Sequence, residues 1–359
     1  MVTNFYPKCL PVLIGSLPLF NHAEGVKWVF EYTPEIPLWV QLPAYKEEGM
    51  IAQFQSGSPG LKLETDKSFI DISDPGFDDD LLEFYEEYMA VKEGETDLEK
   101  SRFAMAADTA KGFFSFLDQL QTLSDPPVAV KGQITGPITF GLGLTDQNGK
   151  AVFYNEQLRD VAVKLLAQKA RWQVKNLSRF GCPVIIFFDE PALAGFGSSA
   201  FITISRDEVI NCFEEVIEAV HNEGGLAGIH VCANADWSLL LESATDIISF
   251  DAYSYFDKLI LYPDLVKRFI QSGGILAWGI VPTLNSDDIE KETADSLVAA
   301  WEEQARAIQA IGIDKSAILD QTLITPSCGT GSLSLDHAKK VLVLTRQVSD
   351  IIRKKFLSI

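Results

Sequence analysis

The sequence predicts an α/β chain built as a (β/α)8 TIM barrel, one catalytic domain over residues 1–359, with an insertion between its second and third strands. Three observations predict it. Eight short apolar runs, mostly β-branched, each end near Gly, Pro or a polar cluster. Their apolarity is continuous rather than alternating, as in parallel strands covered on both faces. Helical patterns separate most of them, and no G-x-G-x-x-G follows any run, which disfavours a doubly wound open sheet.

The runs span residues 11–16, 37–42, 128–132, 184–189, 226–232, 246–251, 274–280 and 317–323. The inserted segment, 43–127, holds a hairpin (61–64, then 69–72) and two helices, the second from about 98 to 120. Within it, residues 78–100 carry ten acidic side chains and two lysines, which read as a solvated helical face. From 157 to 180, Leu158, Val161, Leu165, Trp172 and Val174 recur at near-helical spacing. Ser205 with Glu208 reads as a capping box opening a helix whose stripe is Val209, Phe213, Val216, Ile217 and Val220. Helices over about 287–311 and 334–356 follow the seventh and eighth strands.

Charge narrows the function. Fifty acidic residues against thirty basic give a formal charge of −20, a field that repels nucleic-acid backbones. No apolar run approaches the roughly 18–20 residues of a membrane span. The start, Met1 to Pro18, lacks the basic and continuous apolar regions of a signal peptide, so a cytoplasmic protein is expected. Five cysteines, an odd and sparse set, imply reduced thiols.

Chemistry concentrates at the ends of the strands. His230-Val231-Cys232 closes the fifth, and alternate strand residues share a face, so both side chains can reach one ion. Cys328 lies in the Gly-rich loop leaving the eighth, at the same barrel face. A His/Cys/Cys set is the soft ligation that suits zinc, with a position left open for substrate. Asp251, ending the sixth strand, is either a displaceable fourth ligand or a hydrogen-bond partner of His230. Cys9, Cys182 and Cys212 have no such company and are assigned to packing. Asp189-Glu190, leaving the fourth strand, can hold an ammonium group or act as acid and base; either one alone can cap a helix. Ile14-Gly15-Ser16 closes the first strand, where its amides and hydroxyl can bind a carboxylate or form an ordinary turn.

Together these residues resemble the superfamily of cobalamin-independent methionine synthase and uroporphyrinogen decarboxylase, nearest the catalytic C-terminal barrel of the synthase. The resemblance rests on I-G-S-x-P at Ile14, D-E-P-A-L at Asp189, H-x-C at His230, and a late cysteine before glycine at Cys328. It implies zinc held by His230, Cys232, Cys328 and Asp251, where the synthase has glutamate. It implies that Asp189 and the turn Ile14, Gly15, Ser16 hold the amino-acid part of homocysteine, and that zinc takes the acceptor thiol as thiolate. The implied reaction is methyl transfer to homocysteine, giving methionine, from a methyl-corrinoid or methyl-tetrahydrofolate.

Three departures bear on the donor and acceptor. The chain is one barrel, where the full synthase has two. The loop Trp278-Gly279-Ile280-Val281-Pro282-Thr283 lacks the synthase's histidine, which is thought to protonate the folate nitrogen. The segment 41–50 offers only Glu47 or Glu48 for an amino-group-binding glutamate. The first two favour a methyl-corrinoid, carried on a partner protein. Methylcobamide:coenzyme M methyltransferases share the His-x-Cys…Cys pattern and define an alternative acceptor. A decarboxylase of carboxylate-rich tetrapyrroles needs early arginines, and the first here is Arg102.

Overall fold

Runs that are apolar on both faces must be covered on both, and a parallel sheet backed by helices does so. The computed structural model describes residues 5–65, 67–196 and 203–359. Its strands are β1 (Leu10–Pro11), β2 (Leu61–Leu63), β3 (Ser68–Ile70), β4 (Val130–Thr135), β5 (Val184–Asp189), β6 (Leu226–Val231), β7 (Ile247–Phe250), β8 (Ile275–Val281) and β9 (Thr322–Pro326). Seven of them pair in parallel in the order β1-β9-β8-β7-β6-β5-β4, and β2 with β3 forms an antiparallel hairpin in the inserted segment.

The seven-stranded sheet is curled. Its alternate residues feed two separate apolar clusters. The inner one gathers Leu10, Ile185, Phe187, Leu226, Ile247, Ile275 and Leu323 from strands along the whole sheet, with Phe5, Ile36 and Ala129. The outer one joins Ile186, Phe188, Ile229, Ile248 and Trp278 to the helices. A flat sheet would not bring inward residues of its distant strands into one cluster.

Several expected elements are displaced. The run 37–42 forms no strand; it makes isolated bridges, Leu38 with Lys131 and Ser16 with Gln41. Pro37 has no N–H to give, and the Trp39 carbonyl accepts from the Gln133 side chain at 2.8 Å rather than from a neighbouring main chain. The first run, expected over 11–16, is a two-residue strand whose Val12 amide still donates to Ile324. The last differs more. Residues 317–319 lie in a helix, Lys315–Asp320, and the strand follows it at Thr322–Pro326. A three-residue apolar run fits either structure by pattern alone. The third strand begins at Val130 rather than 128.

The helix expected over 98–120 occupies only Lys111–Gln121. Before it the chain turns, because Arg102 is drawn to Glu87 and Asp80 while Phe103 packs edge-on to Phe84 and Tyr88. Part of the acidic face of Phe77–Glu93 thereby acts as a staple as well as a solvated surface. The helix expected over 287–311 is two, Ser286–Lys291 and Ala294–Ala310, divided where Thr293 caps the second. The Ser205–Glu208 capping box opens Arg206–Asn222 as read. Among the described residues no helix is long and apolar enough to cross a membrane.

Candidate metal centre

Parallel register sets the site. Asp189 on β5 lies opposite His230 on β6, which lies opposite Ser249 on β7. All three end the inward-facing series of their strands, so the pleat delivers them to one layer. Cys232 follows β6 and Cys328 follows β9. The ligand atoms of His230, Cys232 and Cys328 lie within 4.8 Å of one another, a group that could hold a metal ion.

The donors are prepared for a ligand. His230 is buried, its Nδ1 lies 2.9 Å from Ser249 Oγ, and its Nε2 is buried with no partner. An orphaned imidazole nitrogen costs free energy unless something completes it. If Nδ1–H donates to Ser249, the tautomer leaves the Nε2 lone pair for a cation. The two thiols are hydrogen-bonded to each other. Cys328 donates to Cys232, which with the nearby His230 holds Cys232 down at about 4, while the same bond, reinforced by burial, pushes Cys328 up.

Asp251 stands beside this trio and outside it. Its Oδ1 caps the helix Ala252–Leu259 by accepting from the Ser254 amide at 2.8 Å, while Oδ2 is buried and unpartnered. Burial raises its carboxyl to about 6, against the Ser254 bond. Of the two roles read for Asp251, hydrogen bonding to His230 falls instead to Ser249. Its free oxygen remains available for a fourth donor.

The paired carboxylates separate. Glu190 turns away from the trio: it accepts from the amides of Ile138 (2.9 Å) and Thr139 (2.8 Å) and from the Thr139 hydroxyl (2.6 Å). It anchors the start of the helix Pro137–Gly143. Asp189 is half-buried with Oδ1 unpartnered. Burial lifts it to about 6, while His230 and Lys131 act against burial.

The Ile14–Ser16 turn is tied to the cysteine loop. Ser16 O accepts from the Thr330 amide (3.0 Å) and hydroxyl (3.1 Å), and Ser16 Oγ accepts from the Gly331 amide (3.2 Å). A Cβ at Gly329 would fall 2.2 Å from Ser16 Oγ, so a larger residue there would push aside the hydroxyl that accepts from the Gly331 amide. Of the two glutamates in segment 41–50, Glu47 is exposed. Glu48 is buried and engaged, with Oε2 accepting from Leu42 N at 2.8 Å and Oε1 2.5 Å from His22 Nε2.

Sequence reasoning missed Ser249, Gln133 and Lys131. The signal for Lys131 was present: a lysine inside a run expected to be buried on both faces. Cys9 and Cys212 are buried and Cys182 is half-buried, all three as free thiols. Arg102 is committed to the inserted segment's carboxylates.

No family model matches the chain, and no curated protein matches it. Among solved structures it is similar to the crystal structure of A. niger ochratoxinase, at 12% identity with a TM-score of 0.25, over 51% of this chain and 41% of that one. A likeness this slight carries no argument about fold or activity.

Proposed function

We propose that the chain is a zinc-dependent methyltransferase of the methionine synthase type, acting in the cytoplasm on a thiol acceptor, most simply homocysteine. The observation that carries this reading is the His230, Cys232, Cys328 trio with an unpartnered buried imidazole nitrogen. In this reading the sheet is a complete (β/α)8 barrel, with segment 37–42 as its remaining stave. Support comes from its bonds on both sides: Lys131 N to Pro37 O at 3.0 Å, and Gln41 N to Gly15 O at 3.1 Å.

Bound zinc would hold the acceptor thiol as thiolate near neutral pH, against an ordinary thiol pKa of about 8.5. The protein's own groups do the rest. Two cysteinates and Asp251 would set the site's charge at −1, from −3 on the ligands and +2 on the metal, which keeps a thiolate nucleophilic. Ser249 fixes the His230 ring. Asp189 pairs with the acceptor's ammonium, and the Gly15 and Ser16 amides receive its carboxylate. Glu190 braces the adjoining helix and touches none of these groups, so its role is structural rather than acid–base. Without a histidine in 278–283 to protonate a folate nitrogen, a methyl-corrinoid on a partner protein is the favoured donor over methyl-tetrahydrofolate.

The test is metal analysis of the purified protein, then methylcobalamin with a panel of thiols. About one zinc per chain and methylation of homocysteine are expected. Absence of tightly bound zinc, or efficient turnover with methyl-tetrahydrofolate, would overturn the metal and donor assignments respectively. A preference for coenzyme M would move the acceptor to a simple sulfonate thiol.

A further inference from the structure

Lys131 is a buried amine that the reading above leaves unused. It is fully buried, and the pleat of β4 turns it inward in register with Ile185. Its Nζ donates to Ile14 O at 2.5 Å and to Gln133 Oε1 at 3.2 Å, and lies 4.5 Å from the centroid of the Phe187 ring. Among the described residues no carboxylate lies within 4.0 Å of it. Burial lowers the amine to about 7, and the field of Asp189 works the other way.

A buried ammonium ordinarily has an anionic partner, because desolvation costs several kcal/mol. Here the first partner is a peptide carbonyl, and that peptide belongs to the Ile14–Ser16 turn. Its other end is the Gly15 N–H. The Gly15 and Ser16 amides make no hydrogen bond among the described residues. Gln41 and Gln133 press on the same backbone: a Cβ at Gly15 would lie 2.8 Å from Gln41 Oε1 and 3.0 Å from Gln133 Cδ. The turn is thus clamped from behind with its donors unspent. Hydrogen bonds at the two ends of one peptide polarise each other, so a cation on the carbonyl strengthens the amide as a donor.

We infer that Lys131 is a positioning residue that sets acceptor specificity: held on the Ile14 carbonyl, it orients and polarises the Ile14–Gly15 peptide to receive the carboxylate of an amino-acid thiol. The inference rests on the thiol-transfer reading of the site and adds a determinant to it. Lys131 touches no reacting atom.

The experiment compares homocysteine with 3-aminopropane-1-thiol, its analogue without the carboxylate, by calorimetric titration of zinc-loaded wild type and Lys131→Met. Losing a donor strengthened by a buried charge should weaken homocysteine about tenfold or more and the aminothiol less than about twofold. Zinc content and kcat should be little changed, with the loss in KM. Lys131→Gln carries the same comparison should the Met variant not fold. Equal loss on both thiols, or no loss on either, overturns the inference while leaving thiol transfer intact. Failure of wild type to bind either thiol overturns the reading of the site and the inference with it.

Discussion

In β5, β6 and β7 the first inward-facing residues differ in kind from the last. Facing inward, β5 runs Ile185, Phe187, Asp189; β6 runs Leu226, Gly228, His230; β7 runs Ile247, Ser249, then Asp251. Ile185, Phe187, Leu226 and Ile247 join the inner apolar cluster, and of the late members His230 belongs, with Cys232 and Cys328, to the group that could hold a metal ion. One pleat thus builds a floor of packed hydrocarbon and a layer of unpartnered polar atoms two residues further on. The floor gives stability; the upper layer gives some up, since Asp189 Oδ1, His230 Nε2 and Asp251 Oδ2 are all buried without partners. The two layers should therefore be separable by mutation.

The largest effect expected is in the upper layer. Cys232→Ser or Cys328→Ser should lose most of the metal affinity and nearly all activity while the metal-free fold persists. Stoichiometric zinc with full turnover in either variant would show that the trio is misassigned. The converse change, Ile185→Ala in the floor, should cost about 2–5 kcal/mol of stability in urea titrations. Zinc should still bind to the variant under native conditions. Loss of the metal at unchanged stability would erase the division between layers.

Asp189→Asn is expected to raise the homocysteine KM by a factor corresponding to about 2–5 kcal/mol, with zinc content unchanged. A thiol without an amino group should be indifferent to it, and equal losses on both thiols would make Asp189 structural. Smaller again is the effect of Asp251→Ala on metal content: some zinc should remain, because three donors persist, while activity falls.

The smallest effect concerns Glu190, which braces the layer from outside. Burial lifts it to about 7, and its bonds from Thr139 and Ile138 offset part of that. A carboxyl raised above its unfolded value of about 4.3 holds its proton more tightly in the native state. Its contribution is full below that value and lost as pH rises through about 7. The urea midpoint of the metal-free protein should fall between about pH 5 and pH 8, and Glu190→Gln should flatten that fall. An equally steep slope in the variant would place the titration elsewhere.

The elements read correctly from the sequence share a physical character. β5 matches its run at both ends, and the helix after Ser205 begins at its capping box, because both signals are local and mutually consistent. The misread ones are decided by distant partners. Residues 317–319 lie in a helix whose Ile318 and Leu319 are buried in the outer apolar cluster, with the helices rather than within the sheet. Residues 101–110 turn instead of extending a helix because Arg102 finds carboxylates and Phe103 finds rings in the neighbouring helix.

The candidate site divides the same way. His230, Cys232 and Cys328 were legible because strand alternation and strand ends are properties of the chain, so the sequence alone puts three soft donors on one face. The sequence also carried Asp189 and Asp251 to the same end. Which oxygen of Asp251 is spent on a helix cap, that Ser249 rather than a carboxylate meets His230, and that Glu190 turns away to Thr139 were decided only in the folded state. So was the clamp of Lys131 on Ile14, which joins residues 117 positions apart. Pattern fixes the direction in which a side chain leaves the backbone. A hydrogen bond between strands depends on register and distance to a second chain segment, and those exist only once the sheet has curled.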